Sequence, residues 1–82
     1  MIENKKYYGE VIWFNAKNGY GFISYEIDGI KQKDLFVYFA DIICEGFKTV
    51  KKGQRISFGI GQNNKGFPKA IEVTVINEKN TN

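Results

Sequence analysis

The residues of this chain suited to chemistry at a ligand are rings rather than nucleophiles. Trp13, Phe14, Tyr20 and Phe22 lie in WFNAKNGYGFI at 13–23, and Phe36, Tyr38 and Phe39 in LFVYF at 35–39. Successive side chains of a strand alternate between its faces. In LFVYF, Leu35, Val37 and Phe39 therefore point one way and Phe36 and Tyr38 the other, while Tyr20 and Phe22 share one face of GYGFI. Burying Ile23, Leu35 and Val37 leaves Tyr20, Phe22, Phe36 and Tyr38 as an outer row of rings. Gly21 adds no competing side chain to it. Rings interleaved with glycine, in a basic chain, are what stacking on unpaired bases requires. The competing assignment makes these rings core and cross-strand packing. Covering both faces would need a second layer, for which 82 residues hold no obvious material.

Other chemistries fare worse. The chain has no histidine, its lone Cys44 has no imidazole partner, and no carboxylate pair sits in the aromatic motifs. Glu26, Asp28 and Asp34 gather around a hairpin turn as solvated residues. No catalytic residue, metal ligand or cofactor is expected. Twelve Lys plus Arg against nine Asp plus Glu give a charge of +3, a weak pointer to a polyanionic partner. Eleven of the twelve are lysines, point charges suited to phosphates more than to bidentate reading of guanine edges. A protein-interaction module using the rings as a hot-spot patch is the alternative; lysines beside the rings favour nucleic acid. One cysteine precludes an internal disulfide and points to a reducing compartment; Cys44 is expected as a small filler near a turn. No stretch approaches the ~18 apolar residues of a membrane span and MIENKKYYG lacks a signal-peptide core, so a cytoplasmic monomer is expected.

The elements that must position the rings follow from pattern and turns. Tyr7 to Asn15 reads as a first strand with imperfect alternation, since Ile12, Trp13 and Phe14 are consecutive; a bulge or strong twist would resolve it. Asn18-Gly19 marks the next turn and Tyr20 to Ile27 the second strand. After Asp28-Gly29 a third strand returns within Ile30 to Phe39, with 28–34 read as a partly paired loop. Ala40 to Ile43 suits a single 3₁₀ turn. Gln54 to Ile60 and Lys69 to Ile76 complete the strands, with Ile56, Phe58, Ile60, Ile71, Val73 and Val75 expected inward. Five short strands with no helix to cover them must close upon themselves. The expected fold is all-β: a five-stranded antiparallel OB-fold barrel with at most one short 3₁₀ turn, as a single domain over 1–76 and a fraying polar tail at 77–82; on the strand pattern alone a small open sheet or an SH3-like barrel is the alternative.

At WFNAKNGYGFI and LFVYF the chain resembles the cold shock domain proteins of the short bacterial type, over about residues 8 to 75. The family's first ribonucleoprotein motif is matched by Asn18-Gly19-Tyr20-Gly21-Phe22-Ile23 and its second by Leu35-Phe36-Val37-Tyr38-Phe39, and GFKT at 46–49 and GQ-x-x-x-F at 53–58 also agree. The resemblance implies an OB barrel binding single-stranded RNA or DNA, tolerant of pyrimidines, commonly as an RNA chaperone that keeps transcripts unpaired at low temperature. It carries stacking roles to Trp13, Tyr20, Phe22, Phe36, Tyr38, Phe39 and Phe47, and polar or backbone contacts to Asn15, Lys17, Lys48 and Lys65, with Asp34 as a further contact. The chain departs from the family in having Ile12 and Asn18 at usual lysine positions, Tyr38 for a histidine, and Phe67 inserted between Gly66 and Pro68. The loop at 28–34 is longer than usual, and its Lys31 and Lys33 are expected as candidate replacements for the missing charge. Phe67 is either an added ring or a packing insertion.

Overall fold

The structure is a computed structural model, and residues 5–76 are described; the expected tail at 77–82 lies outside them. β1 (Tyr7–Asn15) and β2 (Tyr20–Ile27) are joined by the turn at 16–19 and pair antiparallel from Gly9↔Tyr25 to Asn15↔Tyr20. The register slips between Val11↔Ile23 and Trp13↔Phe22, which makes Ile12 an extra residue. An extra residue reverses the parity of everything after it. Val11 thus points into the core, and two places on Trp13 points out, so the irregular run of apolar residues in the sequence is the signature of this bulge.

Asp28 (φ 54°) and Gly29 (φ 80°) form a hairpin turn with both central residues left-handed. It leads to β3 (Ile30–Lys31), which pairs with Ile27 and Glu26. Gln32 N donates to Tyr25 O at 3.0 Å and the pairing ends there, so 28–34 is the partly paired loop expected. The chain rejoins the sheet as β4 (Leu35–Tyr38). The 3₁₀ turn spans Phe39–Asp41, one residue earlier than predicted, and Ile42 N donates to Phe39 O at 3.1 Å. β5 (Arg55–Gln62) and β6 (Pro68–Val75) form the last hairpin.

Closure turns this sheet into a barrel. β1 pairs with both β2 and β5, β5 with β6, and β2 with β4. The seam between β4 and β6 is parallel, through Phe36↔Lys69 and the isolated bridge Ile42↔Val73. The five long strands form the closed barrel, and β3 is a two-residue outgrowth of its β2 edge. Inside are Val11, Ile23, Leu35, Val37, Ile42, Val50, Ile56, Phe58, Ala70 and Val73. No helix among the described residues is long and apolar enough to cross a membrane.

The alternation expected of β6 is corrected by a second bulge. Ser57 faces Thr74, but Gly59 faces Ile71, so Glu72 and Val73 together oppose Phe58. Glu72 takes φ 50°, and the parity reverses there. Ala70 before it and Val73 after it are the buried residues, Ile71 lies against Gly59 and Gly61 as a partly buried cover, and Val75 is 37% exposed rather than inward. Cys44 is corrected as well: it is exposed, and its thiol donates to Phe47 O at 3.5 Å, a loop contact rather than core filling.

At the end of the barrel remote from the ring row, Tyr25 packs edge-on against Phe58 and Tyr7, with centroids 5.5 and 6.0 Å apart. Burial, and secondarily the neighbouring Tyr7 phenol, raise the Tyr25 pKa above its ordinary value of 10.0. A group whose folded pKa is raised stabilises the fold below its unfolded pKa, and that contribution is lost as pH rises through the folded value. The melting temperature should therefore fall as pH climbs past about 10, and Tyr25→Phe should flatten that decline. An identical alkaline decline in parent and variant would show that Tyr25 ionises equally in both states.

Candidate functional site

Three strands and the 3₁₀ turn bring six predicted rings onto one outer face. Trp13 of β1 sits opposite Phe22 of β2, and Phe22 opposite Phe36 of β4, while Tyr20 sits opposite Tyr38. Directly opposed residues share a face, so the register alone aligns these rings. Trp13 meets Tyr20 and Phe22 at centroid distances of 5.5 and 5.6 Å; Phe36 meets Tyr20 and Phe22 at 5.9 and 5.8 Å. Tyr38 continues the row, 6.4 Å from Phe36 and 4.8 Å from Phe39. Trp13 is 40% exposed, while Tyr20, Phe22 and Phe36 are half-buried by one another. Their backbones turn Ile23, Leu35 and Val37 to the core, so the face assignment expected from the sequence is the one the barrel adopts.

Phe39 departs from simple alternation. Parity places it with Leu35 and Val37, yet it is exposed beside Tyr38 because it opens the 3₁₀ turn, where strand alternation ends. Its place is fixed by Gly19, whose carbonyl accepts from Phe39 N at 2.8 Å. Gly19 has φ 78°, and a Cβ there would stand 2.7 Å from the Phe39 ring, so only glycine allows this approach. The turn is held by Asn15, whose Oδ1 accepts from Asn18 N at 2.9 Å and whose carbonyl accepts from Gly19 N at 2.7 Å. Asn15 therefore has a local task, orienting the turn beneath Phe39.

Beyond Phe39 a cleft of about 410 Å³ opens between the turn at 16–19 and the loop at 46–48. Phe39 and Phe47 are its aromatic walls, with Lys17 and Lys48 at its edges. Phe47 is 71% exposed, so it is not folded back on the core. Gly46 and Ala16 also line this cleft; the sequence reading passed over both, because small residues leave space rather than offer a group.

The remaining candidates disperse. Lys65 stands in the β5–β6 loop, away from the cleft. Lys31 sits opposite Glu26 in the ladder and 3.3 Å from the Asp34 carboxylate, so both are engaged with each other; Lys33 is exposed. Asp28 and Asp34 share this loop with Lys31 and Lys33, and the Lys31–Asp34 pair is itself solvent-exposed. Past Phe22 the same face of β2 continues into a concavity of about 310 Å³ bearing Glu10 and Glu26 as well as Lys31 and Arg55. One contact was not legible in the sequence: Lys69 Nζ lies 3.0 Å from Asp41 Oδ2, largely shielded from solvent, tying β6 to the turn that presents Phe39. No cluster of metal-ligating side chains occurs among the described residues.

Residues 7–76 match the family model of the "Cold-shock" DNA-binding domain. The cold shock-like protein CspA of Vibrio cholerae is 47% identical over 73 residues, covering 89% of this chain and 99% of that protein. Cold shock protein CspB of Bacillus caldolyticus is 51% identical over 65 residues, covering 79% of this chain and 91% of that one. A solved structure described as Drosophila Unr CSD456 superposes with a TM-score of 0.68 at 16% identity, over 96% of this chain and 30% of that longer one. At that identity it speaks to the fold alone.

Proposed function

The chain belongs to the cold-shock domain family, and from that premise we propose that it binds single-stranded RNA or DNA by stacking bases on the row from Trp13 to Phe39 and in the Phe39–Phe47 cleft. Family membership makes it a binding protein and not an enzyme. The observation that carries the proposal is the continuity of the row: six rings, successive centroids 4.8 to 6.4 Å apart, with lysines at one end. An aromatic row that accepts any base face, with backbone phosphates met by Lys17, Lys48 and Lys65, tolerates sequence and admits pyrimidine runs. A duplex hides its base faces, so the preference is for unpaired strands. A strand held this way cannot re-pair, which suits an RNA chaperone acting without ATP as a cytoplasmic monomer and needing no protein partner.

Titration of an oligo-pyrimidine with Trp13 fluorescence tests this. Three or four bases at about 2 kcal/mol each sum to about 6–8 kcal/mol, a Kd between roughly 40 and 1 micromolar. Quenching is expected with the single strand and not with the matching duplex. Each lysine on a phosphate contributes about 0.7 to the log-log salt slope, so three give a slope near −2. Equal binding of duplex and single strand would overturn the stacking mechanism. Affinity for another macromolecule that ignores salt, with none for oligonucleotide, would favour a protein partner for the rings.

A further inference from the structure

We propose that Phe67 forms an additional base-stacking subsite on the β6 side of the ring row, lengthening the strand this chain holds by one nucleotide beyond Phe36. The inference rests on the reading of the row as a single-strand platform.

Three observations converge on it. The first is placement. Phe36 and Lys69 are partners in the parallel β4–β6 seam, and directly paired residues project to the same side. Phe67 has the parity of Lys69, and the ladder persists to it: Gln62 pairs with Pro68, and Asn63 N donates to Phe67 O at 2.8 Å. Two residues of extended chain advance about 6.6 Å, which brings Phe67 level with Asp34, one strand away from β4 and on the outer face that carries Phe36. The second is exposure. Phe67 is 62% exposed and lies outside the core cluster, which removes the packing alternative.

The third is preorganisation. Asn63 Oδ1 accepts from both Lys65 N at 2.8 Å and Phe67 N at 3.0 Å, and Asn63 O accepts from Gly66 N at 3.0 Å. Pro68 restricts the residue before it to extended conformations. The loop thus holds the backbone that carries Phe67 at small ordering cost, and binding on a preordered loop loses less entropy than binding on a mobile one. The charges around it agree with a strand passing here. Lys65 is exposed two residues away, the Asp34 carboxylate that would repel a phosphate is engaged by Lys31 at 3.3 Å, and Lys69 is taken by Asp41, which leaves Lys65 as the cation of this loop that can meet the added phosphate.

The test is a length series of oligo(dT), from four to ten nucleotides, against the parent, Phe67→Ala and Phe67→Leu. Parent affinity should keep rising for one nucleotide beyond the length at which both variants level off. The longest strands should lose about five- to hundredfold on either substitution, with the shortest and the thermal melt unchanged. Phe67→Leu keeps apolar bulk without a ring, so a loss shared by both variants identifies stacking. Equal affinities of parent and variants at every length would overturn the subsite, as would a loss of the same size for all lengths or one confined to Phe67→Ala. Failure of the parent to bind any single strand would instead overturn the platform reading itself.

Discussion

Phe22→Ala and Phe36→Ala should each weaken binding of a short single strand by about 1–3 kcal/mol, the largest losses expected from single truncations on the binding face. Both rings stand at the middle of the row, where Phe22 touches Trp13 and Phe36 while Phe36 touches Tyr20 and Tyr38. Removing either ring deletes one stacking surface and releases its neighbours from the orientation that contact imposes. The double substitution should fall short of the sum, since contacting residues couple by about 0.5–3 kcal/mol. Stability should change less than affinity, because the core beneath is made by Ile23, Leu35 and Val37, which remain. Fluorescence anisotropy of a labelled oligonucleotide is the appropriate readout, since Trp13 itself adjoins Phe22. A variant that unfolds while its folded fraction binds like the parent would place that ring in the core instead.

What the sequence made legible here depended on local periodicity. Period two in GYGFI and LFVYF is enough to separate Ile23, Leu35 and Val37 from Tyr20, Phe22, Phe36 and Tyr38, and the glycine-bearing turns delimit the strands. Parity failed wherever a residue was inserted into or released from a ladder. At Ile12 the consecutive apolar residues announced the bulge; at Glu72 nothing did, because Ile71, Val73 and Val75 alternate in sequence and the slip arises from pairing with β5. Phe39 was displaced from its parity by the 3₁₀ turn. The ion pairs Lys31–Asp34 and Lys69–Asp41 depend on how loops and distant strands meet. Charge at the site was therefore less legible than shape.

Gly21→Ala should cost about 3 kcal/mol or more of stability, a large fraction of the total for so small a domain. Gly21 is buried between Tyr20 and Phe22, opposite Phe14 on one side and Val37 on the other. A Cβ at Gly21 would overlap the Trp13 carbonyl oxygen and lie 2.7 Å from Phe14 Cα and 3.0 Å from the Phe14 ring. Two of these three neighbours are backbone atoms, which cannot rotate away as a flexible side chain can. Relief requires β1 to move from β2, and that pairing sets both the bulge at Ile12 and the register of Trp13 on Phe22. Gly59→Ala supplies the control, because its Cβ would meet the Ile71 side chain at 3.3 Å and no backbone atom closer than 3.9 Å, a fit that a small shift of Ile71 accommodates for about 1 kcal/mol or less. At roughly 4–8 °C per kcal/mol for a domain of this size, Gly21→Ala should melt at least about 12 °C below the parent and Gly59→Ala within about 8 °C of it. The fraction of Gly21→Ala that remains folded should also bind single strands more weakly, since separating β1 from β2 carries Trp13 off the row. Equal melting of Gly21→Ala and parent would show that β1 and β2 do not approach as closely at this point as the barrel requires, and the alignment of Trp13 with Phe22 and Phe36 would lose its structural basis.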